Sequence, residues 1–372
     1  MQTTFDLLLT GGIVVTGTGM RRADVGVHGG MFDAPRQVPE IPRVMELGVR
    51  TFKFFLTYLK QGWYTDDYQL IKAMDLLAER GGMAIVHCEN GGAIDYLEDK
   101  YLKPPLAPPV GGGGAGGARY FNASRPAALE EEGVFRTIRL AEVVGCKVYI
   151  PHVTAARVLR PIRQAQAEGL PVYAETCPQY LNLTQDILAT RGALAKIGPP
   201  IRSADDNDAL WGALRDGTLQ VVSSDHAPKP KDVNGDFLLQ GFGSPQIETL
   251  LPVTYDAGVN GGRIGLVRLV QVMCENPARI FGLYPRKGTI APGGDADLVV
   301  YDPAREFTIR AENQHSNVGY TLYEGRSVLG WPECSFQRGK RVLWHGEIVA
   351  PQGQGRFQAT LGEGTQAEPL RP

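Results

Sequence analysis

Residues 51–87 read TFKFFLTYLKQGWYTDDYQLIKAMDLLAERGGMAIVH. The opening run TFKFFLTY (51–58) is apolar, free of breakers and too short for a helix, so it predicts a buried strand. Between 65 and 82 the pattern turns helical. Thr65 or Asp66 can cap, Leu70, Ile71, Met74 and Leu77 form the apolar stripe, and Gly81 stops it. A second apolar strand, MAIVHCENG, follows at once. Strand, helix, strand, with both strands apolar, is the pattern of a parallel β/α unit buried on both faces.

Working outward, the pattern repeats. A helix opened by Ser124 and Pro126 runs LEEEGVFRTIRLAEVV. The strand CKVYIPHV, the helix AARVLRPIRQAQAEG, the strand PVYAETC and, after a longer excursion, LQVVSSDH follow. These are five barrel-type strands, ending near residues 58, 90, 153, 177 and 225, where a closed (β/α)8 barrel needs eight. The loop 103–117, with its GGGGAGG run, lacks a Lys-Ser/Thr ending and follows no strand. It predicts a flexible surface insertion rather than a phosphate cradle. The two chain ends read instead as short strands separated by turns, FDLLLTGGIVVTGTG at the start and GTIAPGGDADLVVYDP with RVLWHGEIVA near the finish. Neither has enough strands for its own sheet, so they predict one shared β-sandwich. The expected organisation is a composite sandwich from 1–30 and 289–350, a β/α barrel over 31–288, and a C-terminal arm over 351–372.

Composition excludes several classes of function. With 372 residues, 43% of them hydrophobic and 21% charged, the chain has ample material for a core, and its formal charge of −2 gives no basis for nucleic-acid or anionic-membrane binding. The start MQTTFDLLLTGGIVV lacks a basic segment, Asp6 interrupts its apolar run, and no apolar run reaches membrane-spanning length. Five cysteines without a C-x-x-C pair point to reduced thiols and a cytoplasmic setting.

The polar residues of the central strands carry the functional signal. Lys53 lies within the first, His87 ends MAIVH, His152 ends VYIPH and Asp225 ends VVSSD. In a parallel barrel the carboxyl ends of the strands share one face, where the chemistry resides. Taken singly, a strand-end histidine is more often a hydrogen-bonded structural residue, and an aspartate there often caps a helix. Four such residues on successive strands point to a metal site, and the Asp225-His226 pair also suits proton transfer. Lys53 fits the same picture. Desolvation lowers the pKa of a buried lysine, and a neutral amine adds CO2 to become a carbamate, in effect a carboxylate on a long stem. A Schiff-base lysine and a salt bridge to a buried acid remain open alternatives for this stretch.

At this point the chain resembles the hydantoinase/dihydropyrimidinase branch of the amidohydrolase superfamily. The likeness rests on GVRTFKFFLTY, MAIVHCENG, SRPAALEEE, VYIPHVTAA, YAETCPQYL, VVSSDHAP, GSPQIETLLPV and NPARIFGLYPRKGTIAPGGDADLVVYDP, and covers nearly everything from Val38 to Glu347. It implies a metal-dependent cyclic amidase that opens hydantoins or dihydropyrimidines by attack of a hydroxide shared between two divalent ions, zinc by preference. It further implies association into a dimer or tetramer. By the resemblance, carbamylated Lys53 bridges the metals, His87 and His152 hold the second ion, and Asp225 binds the first and shuttles the proton. Tyr58 would hydrogen-bond the substrate carbonyl.

Four departures qualify this. The branch's first barrel strand ends in a His-x-His pair that binds the first metal. No two of the six histidines here (His28, His87, His152, His226, His315 and His345) are separated by a single residue. Strand–helix units that precede the Lys53 strand in the family are missing at Gly30–Met31. At the substrate, the family's Ser-Pro-Pro loop reads Gly198-Pro199-Pro200, and Phe242 stands where some hydantoinases carry an asparagine. Two further classes therefore stand beside the amidase: a non-catalytic, oligomerising scaffold that has lost part of its metal site, and a Schiff-base lysine enzyme. Retention of Lys53, His87, His152, Asp225 and Tyr58 together favours the amidase.

Overall fold

The computed structural model describes residues 6–7, 15–16, 19–20, 28–102, 115–351 and 353–360. At its centre is a six-stranded parallel sheet in strict chain order: β4 (Gly29–Gly30), β5 (Thr51–Phe55), β6 (Met83–His87), β7 (Lys147–Ile150), β8 (Val172–Thr176) and β9 (Val221–Val222). This barrel-type sheet has one strand more than the sequence suggests. Gly29–Gly30, expected at the end of the sandwich segment, instead pairs in parallel with Phe52 and Lys53, and the amide of Met31 continues the ladder to the carbonyl of Lys53 at 2.9 Å. The pairing is made by backbone groups alone, and two glycines offer no side-chain pattern from which to read it.

Along each strand, alternate residues serve two different cores. Phe52, Phe54, Ala84, Val86, Val148, Ile150, Val172 and Ala174 face the helices and belong to the main hydrophobic cluster. Met83, Ile85, Tyr149 and Val221 face the other way and form a small cluster with Tyr173 and Phe281. Lys53 pairs in register with Ile85, Ile85 with Tyr149, and Tyr149 with Tyr173, so Lys53 lies on this inner face. Burying a ring such as Phe54 stabilises by roughly 2 kcal/mol; an ammonium in the same setting costs free energy.

The covering helices follow the expected pattern. Asp66 caps the helix Asp67–Glu79 by accepting from the amide of Gln69 at 2.8 Å. The helix Ala127–Val144 ends at Gly145. Gly133 within it lies so close to β6 that a Cβ would stand 2.8 Å from the carbonyl carbon of Cys88. The Gly-rich loop differs in part from expectation. Residues 103–114 lie outside the described residues, whereas Ala115–Ser124 is helical, and Gly117 lets it approach Phe237, whose Cβ would be 2.8 Å from an added methyl.

The chain ends meet in an antiparallel sheet. β1 (Asp6–Leu7) pairs with β10 (Leu298–Thr308), followed by β11 (Ser327–Gln337), β12 (Lys340–Trp344) and β13 (Glu347–Ile348). A hairpin of β2 (Val15–Thr16) and β3 (Gly19–Met20) accompanies it. Both ends thus contribute to one small β-sandwich. Beyond it, Thr360 returns to the carbonyl of Gly48 through its amide at 3.1 Å and its hydroxyl at 3.0 Å. Among the described residues no helix is long and apolar enough to cross a membrane.

Candidate active site

The strand ends set the site. His87 is the last residue of β6. His152 follows β7 by two residues, Tyr58 follows β5 by three and Asp225 follows β9 by three. Tyr58 (φ 68°), His152 (φ 44°) and Asp225 (φ 45°) all adopt left-handed backbone. Non-glycine residues in that region cost on the order of 1–3 kcal/mol each and cluster where a side chain must be aimed against local preference. Each of these three turns its chain sharply as it leaves the sheet.

The rings gather around His87. The His87 and His152 centroids are 4.6 Å apart with their planes inclined at 64°, and Tyr58 lies 5.3 Å from His87. Burial holds both imidazoles below the ordinary histidine pKa; for His152 the nearby Lys53 cation and His87 add to the effect, while for His87 Glu89 opposes it. Both are therefore neutral, the form that ligates metal. Burial likewise lowers the Lys53 pKa, against the pull of Asp225 and Glu175. Among the described residues Lys53 makes no ion pair, and its ammonium sits 5.4 Å from the Phe55 ring centre. The Asp225 carboxyl is pushed up by burial and held back by Lys53.

Several residues at the site escape the strand-end pattern. Glu89, 1% exposed, accepts a 2.8 Å hydrogen bond from His87 Nε2. Burial raises the Glu89 pKa, but Arg125 and His87 outweigh it and hold the carboxylate ionised. The proton of His87 is thereby assigned to Nε2, leaving Nδ1 as its lone-pair nitrogen, the arrangement by which carboxylates orient metal-binding histidines. On β8, Glu175 faces inward and accepts from Tyr149 Oη at 2.5 Å. The His-x-Glu spacing at 87–89 is the signal that could have found Glu89.

Beside His87 the structure brings Tyr58, Gly198 and Phe242 together. Tyr58 and Phe242 meet edge to face at 5.7 Å. A Cβ on Gly198 would stand 3.0 Å from both Tyr58 Oη and Phe242 Cδ1. Serine at 198 and phenylalanine at 242 therefore compete for one space, so the two departures from the family pattern are sterically linked. His28 stays apart from this group. Its Nδ1 meets Thr51 Oγ1 at 2.5 Å, near the opposite end of β5, and its ring packs on Phe281. His226 Nδ1 accepts from the amides of Gln246 and Ile247 at 3.0 and 3.1 Å.

Among the described residues no group of three or more His, Cys, Asp and Glu side chains is placed to hold a metal ion.

The sequence from 62 to 328 matches the model of the amidohydrolase family. The chain belongs to the amidohydrolase family. It is similar to a D-hydantoinase of Streptomyces coelicolor, 41% identical over 343 residues that cover 90% of this chain and 71% of that one. An L-hydantoinase of Paenarthrobacter aurescens is 35% identical over 342 residues, 90% of this chain and 72% of the relative. The crystal structure of dihydropyrimidinase from Brevibacillus agri superposes with a TM-score of 0.84 at 34% identity, over 91% of this chain and 73% of that one. The barrel-plus-sandwich architecture is common to this fold group.

Proposed function

We propose that this amidohydrolase is a metal-dependent cyclic amidase acting on hydantoins or dihydropyrimidines. The observation that carries the reading is Lys53, an inward-facing lysine without an ion-pair partner among the described residues, beside two neutral histidines and Asp225. A carbamate on Lys53 turns a buried amine into a carboxylate-like donor. With His87 Nδ1 and His152 it makes the three-ligand set of a catalytic zinc site, and Asp225 faces the same space. A divalent ion held there supplies Lewis acidity, polarising an amide carbonyl and easing deprotonation of water. Tyr58 donates a hydrogen bond from its hydroxyl to the carbonyl oxygen as negative charge builds on it. Burial raises the Tyr58 pKa, so the phenol keeps that proton. Asp225 accepts the proton of the attacking water and returns it to the departing ring nitrogen.

The relatives' names, D-hydantoinase and dihydropyrimidinase, support this substrate class. The test is ring opening by the zinc-loaded protein, followed as release of the carbamoyl product from 5-phenylhydantoin and from dihydrouracil. Absence of turnover on both, with zinc bound, would count against the reading.

Metal content is the second test. The donors suffice for one tight ion, so metal analysis should return about one zinc per chain rather than two. Two tightly held ions would mean that donors beyond Lys53, His87, His152 and Asp225 take part. Residues 29–288 form the catalytic barrel in this reading, β4 included. The five buried, unbridged cysteines suit a cytoplasmic setting. The short edge strand β4, with Phe32 and Trp63 exposed beside it, suits a homodimer or tetramer, which light scattering on the purified protein would measure.

Phe242 sets the preference within the substrate class. An apolar ring packed on Tyr58 favours an aryl substituent, so kcat/KM should be higher for 5-phenylhydantoin than for dihydrouracil. Phe242→Asn should lower that ratio about fivefold, the worth of one aromatic contact of ~1 kcal/mol. Adding Gly198→Ser should be less damaging in Phe242→Asn than in the parent, since a Cβ at 198 stands 3.0 Å from both the Phe242 ring and Tyr58 Oη and the asparagine relieves the first of these contacts. An unchanged substrate ratio would remove Phe242 from the pocket.

A further inference from the structure

Arg125 lies between the helices Ala115–Ser124 and Ala127–Val144, and its side chain is 2% exposed. Its guanidinium reaches in three directions. Nη1 donates to Glu89 Oε2 at 2.8 Å, and Nη2 to Glu98 Oε1 at 3.1 Å. The guanidinium carbon Cζ lies 4.7 Å from the centre of the Phe242 ring and 5.9 Å from those of Tyr58 and Phe121. The Glu89 oxygen that it contacts is the one that accepts from His87 Nε2.

The chain continues this connection toward the other histidine. The carbonyl of Arg125 accepts from Arg202 Nη1 at 2.5 Å. Arg202 in turn donates to Thr154 Oγ1 at 3.0 Å and to Glu130 at 3.2 Å, and Glu130 accepts from the amide of Thr154 at 2.9 Å, two residues beyond His152.

A cluster of buried charges is a poor device for stability alone, since well-packed apolar residues of similar volume often serve as well or better. Arg125 is costlier still, because its Nε is buried without a partner among the described residues. What a forked, planar cation provides here, and an apolar side chain cannot, is simultaneous fixing of a carboxylate by hydrogen bonds and of an aromatic ring by its face.

We propose that Arg125 is a positioning residue that couples the histidine pair to the aromatic wall of the substrate pocket. Through Glu89 it fixes the ring of His87 with Nδ1 free, and through its face it holds Phe242 against Tyr58. The inference rests on the amidase reading above.

The test uses the full chain and zinc alone as the first probe. Arg125→Lys keeps the charge but loses the fork and the flat face. It should fold, bind zinc about tenfold more weakly in competition with a chelator, as expected when the partner that orients a ligand is lost, and lose preference for 5-phenylhydantoin over dihydrouracil. Adding Phe242→Leu should lower that preference no further, because the ring is already unheld. Arg125→Gln in a Glu89→Gln background leaves neither of that pair charged, and serves if the lysine variant fails to fold; the same loss of zinc affinity is expected from it. A merely structural arginine would lower the melting temperature while zinc affinity and substrate ratio stayed at wild-type values, and that result overturns the proposal. Wild-type protein that binds no zinc would instead fail the amidase reading, and this inference with it.

Discussion

Lys53→Ala should strip the protein of bound zinc and lower ring-opening kcat by at least about a thousandfold, the equivalent of ~4 kcal/mol of transition-state stabilisation. Lys53 faces inward across from Ile85 and Tyr149, with burial working against its charged form. Two imidazoles are left when it is removed, and they are too few for a tight site. Short carboxylic acids such as acetate or propionate, admitted into the space the stem vacates, should restore part of both metal content and turnover by standing in for the carbamate. A second substitution separates the roles of charge and ligand. In metal-free protein, Lys53→Met should raise stability relative to wild type, because methionine has no charge to desolvate. Since burial depresses the lysine pKa in the folded state, its penalty is fully present below that depressed value and fades as pH rises through about 10.4, the unfolded value. The gain from methionine should therefore be larger at pH 7 than at pH 10. Wild-type metal content in Lys53→Ala would sink the carbamate assignment.

What could be read in advance from the sequence, and what could not, follows from where the information lies. The alternation Phe52, Phe54 against Lys53 is local, so the strand and its inward lysine are legible without any neighbour. The cap at Asp66 and the stop at Gly145 are local too. Gly29–Gly30 has no side chains to alternate, and its place beside β5 is fixed by backbone pairing with residues more than twenty positions away. The helix Ala115–Ser124 begins inside a glycine run whose propensity opposes it, and tertiary packing on Phe237 overrides that propensity. The longer-range contacts behind the histidines are likewise hidden. Glu89 meets Arg125 across 36 positions and Arg202 meets Glu130 across 72, separations at which one sequence carries no pairing signal. The left-handed backbone at Tyr58, His152 and Asp225 is also invisible beforehand, because none of the three is the glycine that would announce it. His87, His152 and Asp225 stand out by their position at strand ends and Lys53 by its place inside an apolar strand, whereas Tyr58, Gly198, Phe242 and the particular role of each residue rest on the family resemblance.

Asp225→Asn should lower kcat by about three to four orders of magnitude while leaving the fold, KM and most of the bound zinc in place. The competing view is that Asp225 caps a helix. The local structure speaks against a cap: no helix starts after it, residues 227–232 are irregular, and the next helical turn is Phe237–Leu239. Asp225 instead turns out of β9 in left-handed backbone and faces the same interior as Lys53. Burial raises its pKa while Lys53 lowers it, and a carboxylate with a pKa raised toward the working pH can take a proton and give it back. His226 is a poor substitute at its Nδ1, which already accepts from the amides of Gln246 and Ile247. Asparagine keeps the shape and a carbonyl oxygen that can still ligate, but it has no carboxylate to protonate. Nucleophile activation and leaving-group protonation then fail together, and general acid–base assistance of this kind is worth about 10²–10⁴ in rate for each transfer. The measurement is kcat beside zinc content in the same preparation. If Asp225→Asn kept kcat within about tenfold of wild type with its zinc bound, the proton would have to travel by another group, and Asp225 would be reduced to a ligand or a turn residue.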